Sequence, residues 1–413
     1  MPSPEPSFHV VGISHHMASV EERERFAFSP SDIEALLDGQ RRARQPSLLL
    51  STCNRCELYW AGDVDLEPWF RELARARGPV SESLLVRHDG LGAVRHLFIV
   101  TAGLDSQILG ETEILGQVRR AYDAARAAGT TTREMDLILS AALSTGRRVR
   151  AETMLGRHPA SVSFAAVDLI ADRWGAIGSK AVVVLGAGEA AEGVLRALNA
   201  RGASNVTLLN RRPARARALA EAWGASVAGW EELDQRVEQA DLVLVGTASA
   251  RPVLSRTQLA RATSARATPL VVMDLAVPRN VEPTARSIAG IHLFDLDDLQ
   301  RLCCPGAGVP SAALDEAERV MDDELVRLGL SLRSCHVAPR LAELHRLGVE
   351  LAEQESSWAL KQLGELCEAD RDVVRQMADR LVRRVLYPVS RNLRENESGA
   401  GSRESGADRA TRG

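Results

Sequence analysis

Aromatic residues are scarce in this 413-residue chain, at 4%, so its interiors have to be built from Leu, Val and Ala. No stretch approaches the roughly 18 consecutive apolar residues of a spanning helix, which argues against one. The opening MPSPEPSFHV lacks a basic region followed by an apolar one, so it does not read as a secretory signal, and a cytoplasmic location is expected. Six cysteines in so long a chain do not make a disulfide scaffold and fit a reducing compartment. Positive charge is not in excess either. A formal net charge of −4 argues against a protein that holds nucleic acid mainly by charge, while leaving room for a local basic patch.

What is present, 45% apolar and 26% charged residues, is the balance of a soluble globular protein too long for one core. Residues 8 to about 155 mix short strands with helices. FHVVGI and LLLSTCNRCELYW read as strands, the second with an interruption. Ile114, Leu115, Val118, Tyr122 and Ala125 recur at helical spacing in the stretch that follows. From about 160 to 300, apolar runs at AVVVL, VTLL, DLVLVG, PLVVMDLAV and IHLFDL alternate with helical segments, the pattern of a parallel sheet with crossover helices. From about 310 to 395 the chain is helical and strand-poor, which suits an oligomer contact better than an active site. The final ENESGAGSRESGADRATRG is polar and Gly/Ser-rich and reads as disordered. The expected fold is α/β: an N-terminal α+β domain (1–156), a Rossmann-like parallel-sheet domain (157–304), an all-helical region (305–395) and a tail (396–413).

Gly186 and Gly188 directly follow an apolar strand and precede a helix. In a dinucleotide site the first glycine makes the tight turn and the second admits the pyrophosphate to the helix N-terminus, so Gly186, Ala187, Gly188, Glu189, Ala190 and Ala191 are the candidate phosphate loop. The alternative is a Rossmann-like fold that binds nothing. The next strand ends in Asn210, Arg211 and Arg212 rather than the acidic residue of an NAD site. Guanidinium groups there favour a 2′-phosphate, hence NADPH, unless they merely occupy an exposed loop.

Cys53 and Cys56 have CxxC spacing. Zinc would need a second pair, and Cys303, Cys304, Cys335 and Cys367 supply none at that spacing, so no metal is expected. A thioredoxin-like pair would open a helix, whereas this one follows a strand. That leaves the redox pair as the weaker reading, beside a packed thiol and a nucleophile. A thiolate takes an acyl group as a thioester, whose carbonyl accepts hydride readily, so a reactive cysteine beside a nicotinamide site suggests reduction of an acyl group. The thiol would need a cationic neighbour or a base, for which Arg55 and a histidine are candidates.

STCNRCELY closely resembles the catalytic segment of the glutamyl-tRNA reductase family. VVGISHHMASVEERERFAF, RHLFIVTAGLDSQILGETEILGQVRRAY, GRRVRAETMLGRHPASVSFAAVDL and VVMDLAVPRNVEP resemble further segments of that family in the same order. The resemblance implies an enzyme that takes the glutamyl group of glutamyl-tRNA onto a cysteine and reduces the thioester with NADPH to glutamate-1-semialdehyde, the first step of tetrapyrrole synthesis. Cys53 matches the nucleophile, and His96 a histidine that activates the thiol or handles protons. On its surroundings alone, His96 reads as a half-buried packing residue. Thr52, Asn54, Arg55, Ser106, Glu111, Thr112, Glu113 and Gln117 match substrate contacts, with Arg55 toward the glutamate carboxylate and a carboxylate toward the ammonium. A homodimer through the helical region is implied, and hand-over of the aldehyde to glutamate-1-semialdehyde aminomutase is plausible chemically.

The chain departs from the family at Ser14 and His16, commonly Asn and Lys, at Thr112 and Glu113, commonly Pro and Gln, and at Cys56, usually Thr. Cys56 raises the idea of a reversible disulfide capping Cys53. Gly146 to Thr153, with Arg119, Arg120 and Arg133, offers a cationic surface for tRNA phosphates, or an ordinary solvated helix face. Two rivals are an alcohol dehydrogenase of the shikimate dehydrogenase type, suggested by residues 180–220 alone, and a non-catalytic scaffold that binds tRNA.

Overall fold

The computed structural model describes residues 6–78, 81–111, 113–156, 161–264, 266–302 and 311–398. The chain forms two compact units. The larger comprises Ser7–Met135 and Leu139–Asp322, and the smaller is built on the chain from Asp323 onward.

The first half of the larger unit runs β1 (Phe8–Ser14), α1 (Val20–Arg23), α2 (Pro30–Ala43), β2 (Ser47–Ser51), β3 (Arg55–Ala61), α3 (Glu67–Ala76), β4 (Leu85–Asp89), α4 (Gly90–Thr101), α5 (Glu113–Ala128) and α6 (Arg133–Glu152). The strands make an antiparallel sheet in the order β2-β3-β1-β4. LLLSTCNRCELYW is therefore a hairpin rather than one interrupted strand. Strand alternation divides β3 between two environments. Cys56, Leu58 and Trp60 join a core with Phe26 and Phe70, and Arg55, Glu57 and Tyr59 take the opposite face. Gly12 stands opposite Glu57, and a Cβ there would lie 2.7 Å from Glu57 Cγ and 2.4 Å from the Cys56 carbonyl. Only glycine lets the Glu57 side chain cross β1.

The second half runs α7 (Val162–Trp174), β5 (Ala181–Leu185), α8 (Glu189–Ala200), β6 (Asn205–Leu209), α9 (Pro213–Trp223), β7 (Ser226–Ala228), α10 (Leu233–Gln239), β8 (Leu242–Val245), α11 (Arg256–Thr263), β9 (Leu270–Asp274), β10 (Ile291–Phe294) and α12 (Leu296–Leu302). All six strands are parallel, in the order β10-β9-β8-β5-β6-β7, a doubly wound sheet that reverses between β5 and β8. Strands β8 and β9 are buried throughout, as expected of a sheet covered on both faces. The three-residue β7 has no apolar run to announce it and is absent from the sequence reading.

Two long helices follow, α13 (Ser311–Gln362) and α14 (Glu368–Ser398), the second reaching into the stretch read as a tail. At its start α13 packs Ala313, Ala317 and Val320 against Ala102, Val149 and Leu155. In the smaller unit α14 lays Val382 and Leu386 against Gly348 of α13. Val373, Met377, Leu381 and Val385 recur every fourth residue on α14 and are exposed, a stripe that needs a covering surface. Among the described residues no helix is long and apolar enough to cross a membrane, and no group of three His, Cys, Asp or Glu is placed to hold a metal.

Candidate active site

Cys53 stands at the tip of the β2–β3 hairpin. Thr52 builds the turn: its Oγ1 accepts from the amides of Asn54 and Arg55, each at 3.1 Å, while its own amide donates to the Arg55 carbonyl at 2.8 Å. The Asn54 carbonyl takes the His15 amide at 2.8 Å. Cys53 is half-buried and packs, with Ile108, against the core formed by α7 and the parallel sheet. Cys56 is buried in the other core, beside Phe26 and Phe70. The two thiols face different interiors across a tight turn, so the disulfide suggested by their spacing would require the hairpin to come apart.

Behind the turn runs a chain of buried charges. His96 Nε2 lies 2.9 Å from Glu57 Oε1, the same oxygen accepts from Arg55 at 3.1 Å, and the Tyr59 hydroxyl donates to Oε2 at 2.6 Å. Arg55 also donates to the Asp105 carboxylate at 2.6 Å and to the Asp105 carbonyl, and His16 Nε2 lies 2.8 Å from the other Asp105 oxygen. Burial opposes ionisation of Glu57, yet His96 and Arg55 outweigh it and bring the carboxyl down to about 2. Burial is likewise outweighed at Asp105, where His16 and Arg55 hold the carboxyl well below the usual range.

This alters the role read for Arg55. Its side chain is fully buried and two of its nitrogens are committed to Glu57 and Asp105, so a substrate carboxylate could reach it only by displacing Asp105. The role read for His96 narrows too, because no hydrogen bond joins it to Cys53. It binds Glu57 through one ring nitrogen and stacks on His88 with ring centres 4.7 Å apart. Glu57 and Asp105 were missed by sequence reasoning. The only signal for Glu57 was a charged residue two positions from Arg55 in an otherwise apolar strand.

Beside Cys53 lies an acidic pair. Glu111 is buried, accepts from Asn54 Nδ2 at 3.3 Å and hydrogen-bonds Ser106, while its carbonyl takes the Arg150 guanidinium at 2.8 Å. Burial and the Glu113 charge push its carboxyl up to about 7. Glu113, in the first turn of α5, comes close to Gly193 of α8, and burial followed by Glu189 raises its pKa. Gln117 is half-buried one turn further on, and Thr112 lies outside the described residues. Burial, then Glu111, then Glu113 push the Cys53 thiol up to about 12, with Arg23 acting against them.

The basic stretch read as a tRNA surface divides. Arg150 turns inward to Glu111, Arg148 pairs with Glu152, and Arg120 forms an ion pair with Glu189 at 2.7 Å. Arg119, Arg133 and Arg147 are exposed.

A cleft of roughly 480 Å³ opens at the carboxyl ends of the parallel strands, where the sheet order reverses. Gly186, Ala187, Gly188 and Ala190 form one wall, Asn210, Arg211 and Arg212 the next, and Thr247, Ser249 and Leu275 to Val277 the far side. Gly186 has φ +119°, and a Cβ there would stand 2.3 Å from the Gly246 carbonyl, so the turn excludes any side chain. Ala191 lies beneath the loop in the core, and Glu189 points away to Arg120. The far wall escaped the sequence reading, and so did two residues beside the arginines. Arg215 lies in the first turn of α9, just after Arg211, and could have been read from RRPARAR, whereas Trp230, over which Arg211 sits at 5.3 Å, opens a short 3-10 helix after β7. The cleft's place where the sheet order reverses, its glycine turn and its basic lining suit a nucleotide cofactor.

A doubly wound nucleotide sheet, with a half-buried cysteine of the neighbouring domain packed against its core, defines a dehydrogenase-like oxidoreductase. Residues 11–153 match the family described as glutamyl-tRNAGlu reductase, N-terminal domain, and residues 316–410 its dimerisation domain. Residues 168–302 match shikimate / quinate 5-dehydrogenase, which accounts for the rival reading of that segment alone. The glutamyl-tRNA reductase of Desulfitobacterium hafniense is 35% identical over 93% of this chain and 89% of its own. That of Rubrobacter xylanophilus is 36% identical over 92% and 90%. Glutamyl-tRNA reductase from Methanopyrus kandleri, a solved structure, superposes with a TM-score of 0.51 at 29% identity, over 96% of this chain and 100% of that one. The chain belongs to the glutamyl-tRNA reductase family.

Proposed function

We propose that this protein reduces glutamyl-tRNA to glutamate-1-semialdehyde through a thioester on Cys53, in the cytoplasm and as a homodimer, and so begins tetrapyrrole synthesis. The observation that carries the reading is the placement of Cys53, at a hairpin tip packed against the nucleotide half of the molecule. Its Sγ bonds to the glutamyl carbonyl carbon as the ester bond to the tRNA ribose breaks, and the ribose oxygen takes up a proton. NADPH, when bound, supplies the hydride. The thioester carbonyl accepts it, the carbon–sulfur bond breaks, and the thiolate leaves and is reprotonated.

The remaining residues serve those steps. Gly186 and Gly188 let the backbone approach the pyrophosphate, and Arg211, Arg212 and Arg215 hold a 2′-phosphate. His96, braced by Glu57, handles the proton of the departing ribose. Thr52, Asn54, Ser106 and Gln117 line the glutamyl site, and Glu111 and Glu113 hold its ammonium. Burial is the main cause of the raised thiol, and that ammonium would offset the smaller part contributed by Glu111 and Glu113, easing ionisation as the correct aminoacyl group arrives. The exposed stripe of α14 suits the dimer contact. Transfer of the aldehyde to glutamate-1-semialdehyde aminomutase would limit its loss.

The test compares the protein with Cys53→Ser, using NADPH and glutamyl-tRNA. NADPH oxidation that requires charged tRNA and disappears with the thiol supports the reading. Binding of charged tRNA with no oxidation by either protein would make the chain a scaffold.

A further inference from the structure

Arg23 ends α1 and is only 3% exposed. Its three nitrogens each have an acceptor: Nε donates to the Cys53 carbonyl at 3.1 Å, one terminal nitrogen to the Ala18 carbonyl at 2.6 Å, and the other to Asp297 Oδ1 at 3.0 Å. The second Asp297 oxygen takes the amide of Val20, the first residue of α1, at 2.7 Å. Asp297 belongs to α12, in the nucleotide half of the molecule. One carboxylate from that half thus grips both the helix that carries Arg23 and the guanidinium that holds the nucleophile's own backbone.

A neighbouring contact fastens the same two halves without touching the cysteine turn. Glu24 receives the amide of Arg279 at 2.7 Å and its guanidinium at 2.7 and 3.1 Å. Arg279 closes the loop whose residues Leu275 to Val277 line the nucleotide cleft. If the arginines only glued the halves together, Glu24–Arg279 would do that alone. Arg23 spends a donor on the Cys53 carbonyl in addition, and its positive charge acts on the thiol against the negative charges of Glu111 and Glu113.

We propose that Arg23 and Asp297 are positioning residues, a latch through which seating of the nucleotide half fixes the Cys53 turn for acyl capture. The proposal rests on the reading of Cys53 as nucleophile. It states that a residue of the nucleotide half, with no contact to the thiol, governs thiol reactivity.

The experiment measures alkylation of Cys53 by iodoacetamide against pH in the full-length protein, read at the Cys53 peptide by mass spectrometry. Variants are Arg23→Gln, Arg23→Lys, Asp297→Asn and, as the fastening control, Glu24→Gln. Melting temperatures are recorded in parallel. Arg23→Gln and Asp297→Asn are expected to move the alkylation profile to higher pH, with the double variant no worse than the larger single effect. Arg23→Lys should recover part of the shift, and Glu24→Gln should lower the melting temperature and leave the profile in place. In the coupled assay Asp297→Asn should lower kcat about tenfold or more, with the KM for NADPH changed less than about twofold. Unchanged alkylation profiles in folded Arg23→Gln and Asp297→Asn, or an equal shift in Glu24→Gln, would overturn the latch. Failure of the underlying reading registers separately, as NADPH oxidation retained by Cys53→Ser.

Discussion

His96 Nε2 and Glu57 Oε1 are 2.9 Å apart, and Glu57 is wholly buried between that imidazole and the Arg55 guanidinium. Removing one partner of a buried ion pair strands the other, at roughly 3–5 kcal/mol. Glu57→Gln keeps the shape and loses the charge, so it should lower stability by about 3 kcal/mol at pH 7. The Glu57 carboxyl is depressed to about 2, so its contribution is present above the ordinary carboxylate value near 4.5 and is lost as pH falls through 2. Urea midpoints of parent and variant should therefore converge between pH 4.5 and 2. A deficit constant with pH would remove the charge from the explanation.

Gly12 and Gly39 make a paired prediction. A Cβ at Gly12 would stand 2.4 Å from a backbone carbonyl, and β1 cannot yield without shifting Glu57, so Gly12→Ala should cost several kcal/mol, about 3 or more. Gly39 lies inside α2 with nothing within 4 Å of the added carbon, so Gly39→Ala should stabilise by about 0.5–1 kcal/mol. Thermal melts of both variants suffice. A neutral Gly12→Ala would contradict the crossing of Glu57 over β1.

Glu111 has the opposite sign to Glu57. Its carboxyl is raised from 4.5 to about 7, so the folded state binds more protons than the unfolded chain across that interval. The stability this represents is complete below about 4.5 and gone once pH has risen past 7. Glu111→Gln should match the parent at pH 4.5 and exceed it at pH 8 by up to roughly 3 kcal/mol. Denaturant midpoints at the two pH values decide the matter, and a gain equal at both would show that ionisation is not its cause.

Glu113 stands where the family commonly has glutamine, and its charge is among those that raise the Cys53 thiol. Glu113→Gln should move the thiol downward and speed its alkylation at a fixed pH near 8 by a factor of a few. Slower alkylation, or none of the change, would mean the carboxylate does not act on the thiol.

The cation cluster at the cleft predicts coenzyme preference. Arg215→Ala should raise the KM for NADPH about tenfold, the loss of one charge-assisted contact of about 1.5 kcal/mol, with little change for NADH. Equal effects on both coenzymes would place Arg215 away from the 2′-phosphate.

Much of this molecule was set by local pattern. Alternating apolar runs and helical spacing carry the parallel sheet and α5, because both depend on side chains a few residues apart. The turn at Gly186 is equally local, since the backbone there takes a conformation open to glycine and brings it against Gly246. CxxC spacing, by contrast, misled: a hairpin sends Cys53 and Cys56 into separate cores, and only strand pairing decides which face each takes. Arg55 read as a free cation because its partner Asp105 lies 50 residues away, and Arg23 drew no notice because Asp297 lies 274 residues away. A charge in sequence carries no record of what neutralises it. The alternation of strand and helix, the glycine turn and the helix around Tyr122 were determined by the chain's own succession of side chains. Which of those residues face the substrate, and which are spent holding one another, was decided by tertiary packing, because burial forces each charge to find a partner from whichever segment the fold brings beside it.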